Sequence, residues 1–168
     1  MPGVDQLYKD GELDHDFKTI SQGKGLTQTM TRGHQCFVVK RTNTGLGIFA
    51  TESIPAGKRL AEYVGRILPN DIVEKLRGKY FFGINSKWAI DGSGRNNIAR
   101  YFNHSCSPNA EAFVSGKRVW IWSKTNIKPG QEITFNYGKE YFDEIIKPQG
   151  CKCDNCKAEQ KKQQPLNT

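Results

Sequence analysis

Turn residues cut this chain into short apolar runs, and that cadence limits the architectures open to it. Cys36-Phe37-Val38-Val39-Lys40 reads as a strand closed by Asn43-Thr44-Gly45, and Leu46-Gly47-Ile48-Phe49-Ala50 reads as a second. After Ile54-Pro55-Ala56-Gly57, an alternating strand runs through Leu60, Glu62 and Val64 to Ile67. Lys79 to Ile84 and Lys87 to Ile90 are aromatic strand candidates. Glu111 to Val114 and Arg118 to Trp122 flank Ser115-Gly116-Lys117 as a hairpin. Helical signals are sparse. Asp71-Ile72-Val73-Glu74 has the form of a capping box, with Gly78 just past a short helix, and Asn96 to Tyr101 allows one helical turn. With seventeen glycines and seven prolines in 168 residues, the expected class is mainly β (α+β), several small sheets rather than a helical bundle.

Ile54-Pro55-Ala56-Gly57 leads through a strand to Gly65, and Ile127-Lys128-Pro129-Gly130 leads through another to Gly138. Two independent turn-then-strand units and a true repeat both fit this echo. Residues 1–34 are polar and read as an N-terminal extension; residues 157–168 are charged, Gln-rich and read as a disordered tail. No apolar run approaches the ~18 residues of a membrane span. Met1 to Asp10 shows no basic-then-apolar leader pattern, so a soluble, intracellular protein without membrane contact is expected. Twenty-five Lys and Arg against seventeen Asp and Glu give a net charge of +8. That balance fits a solvated basic surface or attraction to nucleic acid, and no dense basic run decides between them. Five cysteines in an intracellular chain argue for metal before disulfides: Cys151, Cys153 and Cys156 cluster, Cys106 lies upstream, and Cys36 stands alone as a buried apolar residue.

Several motifs occur in a telling order. They are Gly45-Leu46-Gly47, Tyr63-Val64-Gly65, Arg100-Tyr101-Phe102-Asn103-His104-Ser105-Cys106-Ser107-Pro108-Asn109, Glu132-Ile133-Thr134-Phe135-Asn136-Tyr137, and the final cysteines. The series resembles the SET-domain protein lysine methyltransferases with a post-SET cysteine motif. The resemblance implies a SET domain over residues 35–138, a β-clip-like fold of small sheets with a knot-like C-terminal threading. It also implies a post-SET zinc-binding segment at 139–156, S-adenosyl-L-methionine as donor and a protein lysine as acceptor. Cofactor contacts are then expected at Gly45, Leu46, Gly47, Tyr80, Arg100, Tyr101, Asn103, His104 and Tyr137. Catalytic roles fall on Tyr137, Tyr63 and His104, and a lysine channel on Tyr63, Phe135, Phe82 and Ile84. Structural zinc is implied at Cys106, Cys151, Cys153 and Cys156, although two residues, Asp154 and Asn155, stand where the commonest pattern has four.

The chemistry asks for such a channel. A lysine must shed its proton before its nitrogen attacks a sulfonium methyl, and aromatic burial lowers the cost of doing so. Phe135 sits where the family varies Phe and Tyr; a ring without a hydroxyl leaves room for di- or trimethylation. The strand around Phe82, Ile84 and Trp88 lies where the family lays its substrate along a sheet edge, with Phe81 and Ile90 in the core. A histone tail or another basic protein is the implied substrate, at the nucleus or chromosome if the source is eukaryotic or the protein acts as an effector, otherwise in the cytoplasm. A chain of net charge +8 then needs an acidic cleft, for which Glu52, Glu62, Asp91, Glu111 and Glu132 are candidates, or nucleic acid as a bridge. Two other readings compete. A catalytically silent chromatin-binding module predicts damage at Tyr137 or the Asn103-His104 pair, and both are intact. A small zinc-containing nucleic-acid-binding domain lacks a second CxxC pair and leaves the other motifs unexplained.

Overall fold

The computed structural model describes residues 35–42, 45–76 and 78–163. The expected N-terminal extension, the turn residues Asn43 and Thr44, and residues 164–168 of the expected tail lie outside them. Period-two burial marks the clearest strand. In β9 (Arg118–Ser123), Val119, Ile121 and Ser123 point inward while Arg118 faces solvent and Trp120 and Trp122 are half-buried. β9 pairs on one side with β8 (Ala110–Ser115), the expected hairpin, and on the other with β3 (Arg59–Tyr63). A second sheet holds β4 (Arg66–Pro69), β6 (Trp88–Asp91) and β5 (Phe81–Gly83) in that order. The third runs β1 (Phe37–Thr42), β2 (Gly45–Ala50), β10 (Glu132–Phe135) and β7 (Asn103–His104).

The strand expected to run unbroken to Ile67 is two strands in two sheets. The reason lies at Val64, whose N–H bonds the Asn97 side-chain oxygen at 3.2 Å instead of a neighbouring strand, which ends the ladder. β5 and β6 are shorter than the apolar runs that contain them. Asn85 Oδ1 accepts from the Lys87 and Trp88 N–H groups and fixes a tight turn between them. The helix α1 (Asn70–Leu76) begins one residue early, so Asp71 stands in its first turn rather than capping it, still favourably placed toward the helix dipole. The single helical turn is a 3-10 turn, Ile98–Tyr101.

The two Ile-started echoes meet each other. Ile54 N–H donates to the Ile127 carbonyl at 2.9 Å and Ile127 N–H returns the bond at 2.8 Å, with both side chains 1 % exposed. Around this bridge pack Ile48, Ile121, Ile133, Val119 and Phe102, all fully buried; each contributes about 1.5–3 kcal/mol of transfer free energy. Cys36 is buried among them.

After β10, one turn of α2 (Lys139–Tyr141) widens into a π turn (Phe142–Ile146) and tightens into a 3-10 turn (Lys147–Gln149). The helix α3 (Asp154–Gln163) then corrects the expectation of disorder for residues 157–163. Its polar side chains support each other locally: Asn155 bonds Glu159 at 3.1 Å and Lys157 pairs with Asp154 at 3.7 Å. Among the described residues, no helix is long and apolar enough to cross a membrane.

Candidate active site

Two distant segments are stitched side by side. β7 lies parallel to β10, with Asn103 opposite Thr134 and His104 opposite Phe135. Asn109 extends the seam: its amide donates to the Glu132 carbonyl at 2.8 Å and its oxygen accepts the Thr134 N–H at 2.9 Å. Tyr137 closes it, with its hydroxyl donating to the Phe102 carbonyl at 2.8 Å and its N–H to His104 Nδ1 at 3.3 Å. This seam gives the half-buried Asn103, His104 and Asn109 side chains of the 100–109 block their hydrogen-bond partners.

The seam floors a cleft of 1570 Å³. Gly45, Leu46, Tyr63, Tyr80, Phe82, Arg100, Tyr101, Asn103, Phe135 and Tyr137, all anticipated from sequence, line it together with Cys106. One wall is aromatic. Tyr63 and Phe82 have ring centroids 5.3 Å apart, Phe82 and Phe135 6.2 Å, and Phe135 and Tyr137 4.9 Å. Arg100 lies over the Tyr80 ring at 3.9 Å and donates to the Ser93 carbonyl. Asn103 donates to the Leu46 carbonyl at 3.1 Å and to Glu132 at 2.7 Å.

Three anticipated residues stand elsewhere. Ile84 is buried in the core, where its side chain packs with the sheet residues. Gly47 faces the Asn103–Glu132 pair, and a Cβ there would come within 2.9 Å of Asn103 Nδ2 and 2.7 Å of Thr42 Cγ2. His104 lines a second cavity of 640 Å³ between the seam and the C-terminal segment. Asn103, Tyr137, Tyr141 and Ile145 border both cavities. Tyr141 escaped the sequence reading. Its ring meets Tyr137 edge-on at 5.3 Å, and the four-residue spacing of two tyrosines just past β10 was the available signal.

Burial sets the protonation of the site. It pushes the phenols of Tyr63 and Tyr137 well above their usual range, so both are neutral hydroxyls at pH 7. Burial also lowers His104 below the usual imidazole range, and the Phe142 ring lies tilted against it at 5.4 Å. Most of the anticipated acidic residues are spent on neighbours. Glu62 is gripped by Arg118 Nε and Nη2 at 2.7 and 2.8 Å, Asp91 pairs with Arg66 at 3.1 Å, Glu52 with Lys58 at 3.7 Å, and Glu132 with Asn103. Glu111 alone of the five lines the cleft. The C-terminal segment brings Glu140, Asp143 and Glu144 to it, with Asp143 paired to Lys139 and Lys147.

Four thiols form the remaining cluster. The Sγ atoms of Cys106, Cys151, Cys153 and Cys156 all lie within 4.8 Å of one another, with Cys106 3.8 Å from Cys151 and 3.6 Å from Cys156. Four sulfurs tetrahedrally placed ~2.3 Å from one ion would be about 3.8 Å apart. The donor set therefore fits a metal. The short spacing is accommodated because α3 starts at Asp154, and its first turn carries Cys156 back toward Cys153. Burial raises the Cys106 thiol to about 11; in Cys153 it is overridden by backbone hydrogen bonds with Cys106 and Cys156, which bring that thiol down to about 6.

A family model described as the SET domain matches residues 45–138. The histone-lysine N-methyltransferase Set2 of Drosophila melanogaster is 35% identical over 155 residues, covering 82% of this chain and 7% of that protein. A histone-lysine N-methyltransferase of Debaryomyces hansenii, described as H3 lysine-36 specific, is 32% identical over 132 residues, covering 71% and 18%. A structure of a humanized mutant of the Chaetomium thermophilum Polycomb Repressive Complex 2, bound to the inhibitor GSK126, superposes with a TM-score of 0.55 at 28% identity. It covers 63% of this chain and 15% of that one. The chain thus spans less than a fifth of the length of these curated relatives.

Proposed function

The chain belongs to the SET domain family, and from that footing we propose that it is an S-adenosylmethionine-dependent protein-lysine N-methyltransferase acting on histones or another basic protein at chromatin. The observation that carries the reading is the junction at Tyr137. There an aromatic wall of Tyr63, Phe82 and Phe135 opens on the same cleft as Gly45, Arg100 and Asn103.

When bound, S-adenosylmethionine supplies an electrophilic sulfonium methyl group; Gly45, Leu46, Arg100, Tyr101, Asn103 and Tyr137 are the residues to hold it. The aromatic wall takes the lysine stem. Holding a lysine neutral at pH 7 costs about 5 kcal/mol, and burial against these rings offsets part of that. Tyr63 and Tyr137 are held as neutral phenols, so neither is a phenolate base and the lysine proton leaves to solvent before transfer. The Tyr137 hydroxyl, anchored on the Phe102 carbonyl, keeps lone pairs with which to orient the lysine nitrogen. Alignment then supplies much of the acceleration. The acidic residues Glu111, Glu140 and Glu144 at the cleft favour a basic substrate despite the positive chain. Zinc is the metal suited to the four thiols, where it would fasten the C-terminal segment over Asn103 and His104. Where a relative's name specifies a residue it is H3 lysine-4 or H3 lysine-36, so core histones are the substrate to try first.

The test is transfer of radiolabelled methyl groups from S-adenosylmethionine to mixed core histones, followed by mapping of the labelled lysine. Wild-type protein labels histone. Tyr137→Phe, which keeps the ring and loses the hydroxyl, lowers kcat about 100-fold. A wild-type protein that binds the cofactor and labels no lysine would sink the assignment.

A further inference from the structure

Asn97 begins the 3-10 turn Ile98–Tyr101 and is fully buried, yet its side chain makes no cap to that turn. Asparagine at such a position ordinarily spends its oxygen on the N–H groups that follow. Here both ends of the amide are committed elsewhere. Oδ1 accepts the N–H of Val64, the residue after Tyr63, at 3.2 Å, and Nδ2 donates to the Gly92 carbonyl at 3.0 Å. Gly92 in turn donates its N–H to the Tyr80 carbonyl at 2.8 Å, and that same carbonyl accepts the Tyr63 hydroxyl at 2.8 Å. A Cβ at Gly92 would lie 2.5 Å from Tyr63 Cζ, so the loop is pressed against the ring itself. The amide therefore closes a loop of bonds that grips Tyr63 by its backbone on one side and its hydroxyl on the other.

We propose that Asn97 is a positioning residue for substrate lysine, acting through Tyr63 and the Tyr80 carbonyl rather than touching substrate or cofactor. The proposal rests on the lysine-methylation reading and adds to it a residue outside the cleft lining. Its effect is lopsided. Tyr63 packs on Phe82 in the aromatic wall, whereas the Asn103–Leu46–Glu132 bonds on the seam share no partner with Asn97. A buried amide with both ends satisfied fixes geometry more tightly than packing alone, and losing either bond frees Tyr63 to tilt.

The full chain is compared with Asn97→Ala and Asn97→Asp; the second keeps the acceptor for Val64 and loses the donor to Gly92. With core histones as acceptor, KM for histone rises about tenfold in both variants, while the dissociation constant of S-adenosylhomocysteine stays within about twofold. A change of both constants in step, or of neither, overturns the positioning role. A second readout needs no activity. In protein labelled with fluorotyrosine, the 19F resonance of Tyr63, identified through Tyr63→Phe, shifts in both variants while that of Tyr137 holds still. An unmoved Tyr63 signal overturns the proposal even in an active enzyme. A Tyr63 signal that shifts in the variants, beside a wild-type protein that binds the cofactor and labels no lysine, leaves the link from Asn97 to Tyr63 standing and removes the lysine-methylation reading instead.

Discussion

Phe135 is 4 % exposed, with Tyr137 and Phe82 on either side of its ring. A hydroxyl added at its para position has to be accommodated in the channel or hold a water there, and either takes space from a methylated nitrogen. Phe135→Tyr is therefore expected to shift the product toward monomethyl-lysine with cofactor affinity unchanged, as read by mass spectrometry of labelled histone. Asp91 carries a different kind of prediction. Burial pushes its carboxyl up, but hydrogen bonds from Ser93 and Arg66 outweigh this and hold it below the usual carboxylate range. A depressed folded pKa gives stability that is present above the unfolded value of ~3.9 and is lost as pH falls through the folded value. Asp91→Asn is thus less stable than wild type near pH 6, and the gap narrows as the pH is taken below about 4. Thermal unfolding of both proteins across that range checks it; a constant gap would assign the loss to packing instead.

At the scale of elements, β2 is where cleft lining and scaffold separate. Gly45 lines the cleft, but Gly47, two residues on, faces the Asn103–Glu132 hydrogen bond that ties β7 to β10, while the same Asn103 amide reaches β2 at the Leu46 carbonyl. A methyl group at Gly47 has no room without displacing that pair, and overpacking of this kind costs about 1–3 kcal/mol. Gly47→Ala should lower the urea midpoint accordingly, and weaken cofactor binding only through Asn103. Several strands were legible because their signals are local: turn residues bound the β8–β9 hairpin and β2, and β9 adds a period-two burial. The break between β3 and β4 was not legible, because it depends on an Asn97 side chain 33 positions away taking the Val64 N–H. The ordered α3 was hidden for a similar reason. Composition alone describes a solvated tail, whereas the helix starts within a cluster of thiols that includes Cys106, 50 positions upstream of Cys156. The candidate site divides along the same line. Motif residues of the cleft were readable one by one; Ile84, Tyr141 and Asn97 depend on which sheets and turns meet, and sequence order does not carry that.

For the whole molecule, the decisive joint is between the three sheets and the C-terminal segment. The sheets have their own core around Ile48, Ile54, Ile121, Ile127 and Ile133, none of which belongs to residues after 139. Among the described residues, the segment contributes no side chain to that core, and it holds to the sheets through the thiol cluster, Tyr141 on Tyr137, and Phe142 on His104. Its place over the second cavity must then depend on whatever draws the four sulfurs together. Zinc binding to four thiolates carries about 10–16 kcal/mol in small zinc modules, ample to order a segment of this length. Purified protein is accordingly expected to contain one zinc per chain by atomic absorption, and Cys156→Ser to lose it. A strong chelator should raise amide hydrogen exchange across 139–163, leave β1–β10 protected, and weaken S-adenosylhomocysteine binding by about tenfold, because the wall behind His104 and Tyr137 opens. Collapse of protection throughout the sheets would instead make the metal part of the folding of the entire domain. Full zinc retention in Cys156→Ser would show that the two-residue spacing leaves that thiol outside the site.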